Sequence, residues 1–311
     1  MLPGKKIATL ISVNTAFMLA VVKLIGGVLT GSVSVLASAV DSILDIGSST
    51  VNYFAIKQSE QPPDNDHRYG HAKFESLASL IQAGVITLSG LYILYEAYAR
   101  FESGKAVKSI EGGIWVMLFS LAVTFFLVIF LRKVAKKENS SILKTESLHY
   151  EIDLLTGGGV LAGLVLVKVT GINAIDPFIS VLIALKTVYS ALILGKEVSE
   201  DLVDKALDED DLKKIHGVLN QYNCVIVGWH KLRTRKAGTE KFADLHVQVN
   251  RHLTIEDAHT IADMIEKDIA ETLGGADVQI HIEPCENECT HKACTLCDTE
   301  IRNEINRLKS K

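Results

Sequence analysis

VSVLASAVDSILDIGSSTVNYFAI, residues Val33–Ile56, is apolar over most of its length and yet carries Asp41 and Asp45 near its middle. Ionised carboxylates are costly at membrane depth, so they face a bundle interior or a water-filled path and mark function. Four residues apart, Asp41 and Asp45 stack on one helix face about one turn from each other. Ser34, Ser38, Ser48 or Ser49, and Asn52 extend that face into a polar stripe at helical spacing. A stripe that long reads as the wall of a polar pathway. The plainer reading is a soluble amphipathic helix with a solvated acidic face, and the flanking sequence decides between them.

Working outward, six apolar segments have the length of about 20 residues that a crossing requires. They run Ile7–Leu29, Val33–Ile56, Leu77–Tyr98, Gly113–Leu131, Ile142–Val169 and Ile172–Leu194. Lys5, Lys6, Lys57, Arg68, Lys73, Arg132, Lys133, Lys136, Lys137, Lys144 and Lys196 fall on one side of these segments. Arg100, Lys105, Lys108 and Lys168 fall on the other, so both termini are expected in the cytoplasm. The apolar run after Lys5 and Lys6 has no small-residue cleavage site, and no signal peptide is expected. From Val198 onward charge rises and apolar runs shorten.

The expected organisation is a six-helix transmembrane domain over residues 1–197, a cytoplasmic domain over 198–284, and a Cys-rich tail with a short amphipathic helix over 285–311. The cytoplasmic part reads helix (Asp210–Tyr222), strand (Val225–Arg235), strand (Phe242–His252), helix with Thr254 as N-cap, strand (Val278–Glu283). Lys236-Ala237-Gly238-Thr239 marks the turn between the first two strands. This αββαβ order predicts an open, ferredoxin-like two-layer α+β unit. Hydrophobic residues form 48% of the chain and the mean hydropathy is +0.24, a mixture that suits a membrane part joined to a soluble one. A net charge of -5 gives no footprint for nucleic acid. No phosphate-cradling glycine motif is present, which argues against an ATP-driven pump.

The fifth segment answers the second. His149 and Asp153 are also four apart, with Glu146 and Thr156 on the same face. Two membrane helices can thus bring together Asp41, Asp45, His149 and Asp153. Three oxygens and one imidazole nitrogen suit Zn²⁺ and also admit Fe²⁺, Cd²⁺, Co²⁺ or Mn²⁺. Gly157, Gly158, Gly159 and Gly163 would ease close helix approach. Farther on, Cys285, Cys289, His291, Cys294 and Cys297 place five soft ligands close together. In a reducing cytoplasm such a cluster favours a metal site over cross-links, and Cys224 reads as a small apolar residue.

The sequence resembles the cation diffusion facilitators, in particular their bacterial zinc and ferrous-iron efflux branch. The resemblance is carried by Asp41-x-x-x-Asp45, His149-x-x-x-Asp153, the loop Asp66-His67-Arg68-Tyr69-Gly70-His71-Ala72-Lys73, Ser147-Leu148-His149-Tyr150, and Trp229-His230-Lys231-Leu232-Arg233-Thr234-Arg235. It implies a transport site at Asp41, Asp45, His149 and Asp153. It implies a second site at Asp64, His67 and His71, where a carboxylate and two imidazoles in a short loop suit zinc. A binuclear site would fall on His230, His246, His259, His281 and Glu283, with glutamate where aspartate is expected. The resemblance further implies an interlock between Lys73 and Asp204, a homodimer, and a multi-pass protein of the inner membrane.

The functional expectation is efflux of a divalent cation, Zn²⁺ first, in exchange for protons, with no organic cofactor and no catalytic residues. A membrane metal sensor is the alternative, in which the cytoplasmic ligands matter and the membrane quartet does not. An intramembrane metallohydrolase is disfavoured, because His-Glu-x-x-His is absent and four protein ligands leave no open position.

Overall fold

Asn139 and Ser140 turn the chain sharply between two long helices, and that corner shows how the helical part is held together. Asn139 adopts φ 48°, and the Ser140 hydroxyl accepts from the Leu143 amide at 3.3 Å, capping the helix that follows. The computed structural model describes residues 4–30, 33–103, 114–170 and 175–286, together with 303, 306 and 307. Six long helices form its first part: α1 (Lys5–Thr30), α2 (Val33–Ser59), α3 (Lys73–Ser103), α4 (Ile114–Glu138), α5 (Ser141–Thr170) and α6 (Ile175–Leu202). The shortest, at 25 residues, spans about 37 Å at 1.5 Å per residue, more than the hydrocarbon core of a bilayer.

Among the described residues, four stretches are long and apolar enough to cross a membrane: Lys5–Leu29, Lys73–Ala99, Ile114–Glu138 and Pro177–Leu202. The expectation of six is met in helices but not in apolarity. The physical reason is that α2 and α5 carry the ionisable residues: Asp41, Asp45 and Lys57 on one, Lys144, Glu146, His149, Glu151 and Asp153 on the other. The expected starts of the fourth and sixth segments, Gly113 and Ile172, lie outside the described residues.

The helical unit buries small polar residues beside an apolar core around Ile56, Leu131 and Leu143, and leaves many large apolar side chains exposed. Ser12, Ser49, Ser76, Ser79, Thr145 and Glu146 are buried, while Phe17, Tyr92, Phe126 and Leu182 face outward. That arrangement suits an apolar solvent, where small polar residues hold helices together by packing and hydrogen bonds. Glu75 of α3 is an anchor. It accepts from Lys5 Nζ of α1 at 2.8 Å, from the Ser140 hydroxyl, and from the Ile142 amide at 3.5 Å. A carboxylate at the start of α5 also meets the positive end of that helix. Two of the expected small residues mark close approaches: a Cβ at Gly159 would lie 2.3 Å from Ile183 of α6, and one at Gly157 2.9 Å from Leu121 of α4.

The chain divides into two compact units, Met1–Leu202 and Val203–Lys311. α6 thus continues past residue 197 to Leu202. The second unit contains α7 (Glu209–Gln221), β1 (Ile226–Ala237), β2 (Glu240–Val249), α8 (Ile255–Thr272) and β3 (Ala276–Pro284). The order αββαβ is the one expected from the sequence. Asp208 caps α7, and Thr254 caps α8 by accepting from the Asp257 amide. The two-residue loop Gly238-Thr239 closes the β1–β2 hairpin, with Gly238 at φ 58° supplying the left-handed conformation such a turn needs.

The sheet order is β1-β2-β3, antiparallel between β1 and β2 and parallel between β2 and β3. Leu245, Val247 and Val249 alternate into a core with Ile215, Leu219, Ile261, Ile265 and Ile269 from the two helices. The residues between them, His246 and Gln248, therefore point to the opposite face of the sheet.

Candidate metal centres

α2 and α5 meet at their polar faces. His149 Nε2 lies 3.0 Å from Asp45 Oδ1 and 3.8 Å from Asp153 Oδ2. Ligands about 2.0 Å from a tetrahedral metal stand about 3.3 Å apart, so these separations bracket what Zn²⁺ requires. Asp45, His149 and Asp153 form a group whose ligand atoms all fall within 4.8 Å of one another. Asp41 stands outside that tight group, one turn away on α2. It lines a cavity of about 230 Å³ that also receives Asp45, Asp153, Lys23, Ser42 and Tyr150. The donor set of the trio fits a borderline divalent ion. Stacked at i, i+4 on α2, Asp45 joins the trio and Asp41 lines the adjoining wall one turn away.

Beneath His149, the Ser12, Ser49 and Tyr150 hydroxyls bond to one another at 3.0–3.3 Å, all buried. Sequence reasoning passed over Lys23 and Ser42. The available signal was a lone lysine inside the apolar run of α1, which at that depth has to find a polar partner.

The loop between α2 and α3 brings a second set together. Asp64 Oδ1 accepts from the backbone amides of His67 at 2.6 Å and Asp66 at 2.9 Å, while Oδ2 lies 3.2 Å from His71 Nε2. The His67 and His71 rings are 4.5 Å apart, with Gly70 at φ 78° turning the chain between them. The His67 backbone hydrogen bond holds the Asp64 carboxyl below the usual carboxylate range. His71 is buried, and its Nδ1 has no hydrogen-bond partner.

In the second unit, register aligns His230 with His246 and His246 with His281, one row across three strands. The ring centroids are 5.3 Å and 4.7 Å apart along that row. Glu283 Oε1 is 2.7 Å from His246 Nδ1 and Oε2 is 3.2 Å from His230 Nε2, so one carboxylate spans two imidazoles. The His246 hydrogen bond holds Glu283 below the usual carboxylate range. His281 neighbours this group, whereas His259 on α8 is largely exposed and faces Asp263 at 3.5 Å.

The expected interlock residues each have a partner within their own unit. Lys73 Nζ donates to the Leu202 carbonyl at 3.3 Å, and Asp204 lies 3.6 Å from Arg235. Of the tail, Cys285 is buried and its amide donates to the Val249 carbonyl at 2.9 Å. Cys289, His291, Cys294 and Cys297, and the apolar positions Ile301, Ile305 and Leu308, lie outside the described residues.

Residues 9–203 match the cation efflux transmembrane domain, and residues 207–285 match the cytoplasmic domain of cation efflux proteins. The cation-efflux pump FieF of Yersinia enterocolitica is 36% identical over 279 residues, covering 90% of this chain and 92% of that protein. Its counterpart in Yersinia pestis is 35% identical over 280 residues, covering 90% and 93%. Among solved structures, the metal-bound C-terminal domain of the CzcD transporter from Thermotoga maritima is 27% identical over 26% of this chain and 99% of that one, with a TM-score of 0.24. The two family models together cover the helical unit and the small sheet domain, and the Yersinia pumps match across 90% of the chain. The chain belongs to the cation efflux family of multi-pass membrane transporters.

Proposed function

We propose that this transporter exports a divalent cation, Zn²⁺ first, from the cytoplasm in exchange for protons. The observation that carries the reading is the approach of His149 to Asp45 and Asp153, which offers an imidazole nitrogen and carboxylate oxygens to one ion. Metal binding requires ionised carboxylates and a neutral imidazole, so loading releases protons. Protons and metal compete for the same lone pairs. When the pocket opens to the more acidic side of an energised membrane, protonation of these groups expels the ion. Each net charge moved through the potential is worth about 2.3 kcal/mol per 100 mV.

In this reading α2 and α5 also cross the bilayer, their polar faces turned inward against α1 and α4, and both termini are cytoplasmic. The protein works as a homodimer in the inner membrane. Asp64, His67 and His71, and the row His230, His246 and His281 with Glu283, collect metal on the cytoplasmic side. His259 joins that row only if domains rearrange on metal binding or pairing. The Lys73–Asp204 interlock and a soft-metal site at Cys285, Cys289, His291, Cys294 and Cys297 remain part of the proposal.

The test is Zn²⁺ uptake into inverted vesicles with an imposed proton gradient and a pH-sensitive dye inside. Wild-type protein is expected to move Zn²⁺ and protons in opposite directions, and Asp45→Ala to abolish both. Uptake by that variant, or uptake without proton counterflow, overturns the reading. A sensor would instead lose its response in His246→Ala and keep it in Asp41→Ala.

A further inference from the structure

α1 sends one charged side chain into the transport cavity. Lys23 Nζ donates to Ser42 Oγ at 2.8 Å and lies 3.4 Å from the Ser38 carbonyl oxygen. Both acceptors belong to α2 and flank Asp41 in sequence. The ammonium is therefore fastened to the helix that bears Asp41 and Asp45, yet among the described residues it makes no ion pair with either acid. Asp45, Asp153 and Asp41 nevertheless all act on it electrostatically, and it shares their cavity. An ammonium has donors only, so Lys23 can never be a metal ligand. What it contributes to the cavity is charge.

The sum is short. Counting only the residues that line the cavity, Asp41, Asp45 and Asp153 bring three negative charges when ionised and Lys23 brings one positive charge, leaving minus two. We infer that Lys23 sets the valence of the transported ion, fixing the cavity at a net charge that one divalent cation cancels. A monovalent ion would leave one negative charge uncompensated, and a trivalent ion one positive charge. Uncompensated charge at membrane depth is what costs most. Buried Ser42 keeps the ammonium from swinging into the coordination position, where it would compete with the metal.

This inference rests on the reading that Asp45, His149 and Asp153 hold the ion, with Asp41 on the wall beside it, and the test separates the two. Full-length protein is titrated with Cd²⁺ and with Tb³⁺, counting only binding that Asp45→Ala removes. If Asp45→Ala removes no Cd²⁺ binding and no transport, the reading of the site fails, whatever Lys23 does. If it does remove them, Lys23→Gln is expected to raise Tb³⁺ affinity relative to Cd²⁺ by about tenfold or more, from the loss of one nearby charge. The same variant should bind Cd²⁺ more tightly and release it more slowly, and Lys23→Arg should restore the wild-type ratio. A merely structural lysine would weaken both ions together and leave the ratio unmoved. Ser42→Ala, which unseats the ammonium without removing it, should shift the ratio in the same direction by less, and it decides the matter should Lys23→Gln fail to fold. A Tb³⁺ to Cd²⁺ ratio within about twofold of wild type in Lys23→Gln, or an unmoved ratio in Ser42→Ala should Lys23→Gln fail to fold, overturns the inference.

Discussion

His149 Nε2 and Asp45 Oδ1 are 3.0 Å apart although 104 residues separate them in the chain, and this contact joins α2 to α5. Imidazole favours Zn²⁺ over ions that prefer oxygen alone, so in the proposed site this nitrogen is the group that would set selectivity. His149→Asp should therefore lower Zn²⁺ transport by about 10- to 100-fold while Mn²⁺ transport falls less. A metal panel in proteoliposomes measures the ratio directly, and an unchanged Zn²⁺ to Mn²⁺ ratio would remove His149 from the site.

Glu75 is buried between α1, α3 and α5, with Lys5 as its cationic partner at 2.8 Å. Removing one partner of a buried pair strands the other charge and costs about 3–5 kcal/mol. Lys5→Ala alone should lower the thermal midpoint of the helical unit sharply. Lys5→Met with Glu75→Leu should lose much less, because no charge is left unpaired. A double variant as unstable as the single one would show that the Ser140 and Ile142 contacts, not the ion pair, hold the corner.

Much of this site was open to sequence reading because helices repeat. Asp41 with Asp45, and His149 with Asp153, declare a shared face by spacing alone. Spacing could not say that Asp41 would line the wall while Asp45 joins His149, since that depends on how α2 is rotated against α5. Nor could it place Lys23, whose partner Ser42 lies on another helix. In the second unit the sequence places His230, His246 and His281 on three strands, and the structure turns Leu245, Val247 and Val249 inward and His246 to the opposite face. His259 could be assigned to a helix but not to a group, because a helical residue's neighbours are set by docking angle. The four-residue turn expected at Lys236–Thr239 closes instead as a two-residue loop, as Gly238 at φ 58° permits.

Asp211, in the first turn of α7, links that helix to the sheet. It lies 2.8 Å from Lys214 Nζ and 2.5 Å from Lys241 Nζ of β2. Burial pushes its carboxyl up, but the two lysines outweigh that and hold it below the usual carboxylate range. A carboxyl depressed in the folded state stabilises above its unfolded value of about 3.9, and that contribution disappears as pH falls through the lower folded value. Protection of the α7 amides from hydrogen exchange should thus decline from about pH 5 downward in wild type. Asp211→Asn should show less protection at neutral pH and a flatter decline. Parallel curves for the two proteins would assign the acid sensitivity elsewhere.

The histidine row depends on an irregularity in β1. Near the hairpin loop the pairing is Ala237 with Glu240 and Arg233 with Asp244, but beyond it His230 pairs with His246, a shift by one residue. An uninterrupted ladder would have set His230 opposite Val247, which is buried in the core, and a one-residue slip moves a side chain to the other face of a sheet. The bulge therefore turns His230 toward Glu283 and His246. Its cost is borne at Lys231, which adopts φ 52°, a conformation that favours glycine and resists β-branched residues. Lys231→Gly should keep the row and stabilise the second unit by up to about 1 kcal/mol, set against glycine's greater entropy when unfolded. Lys231→Val should oppose the bulge, loosen the His230–Glu283 contact, and weaken Co²⁺ binding by the full-length protein at the sheet, read from its visible absorption after Asp45→Ala, His71→Ala and replacement of Cys289, Cys294 and Cys297 by Ser remove the other proposed sites. If Lys231→Val binds Co²⁺ at the sheet as wild type does, then the bulge does not control the position of His230.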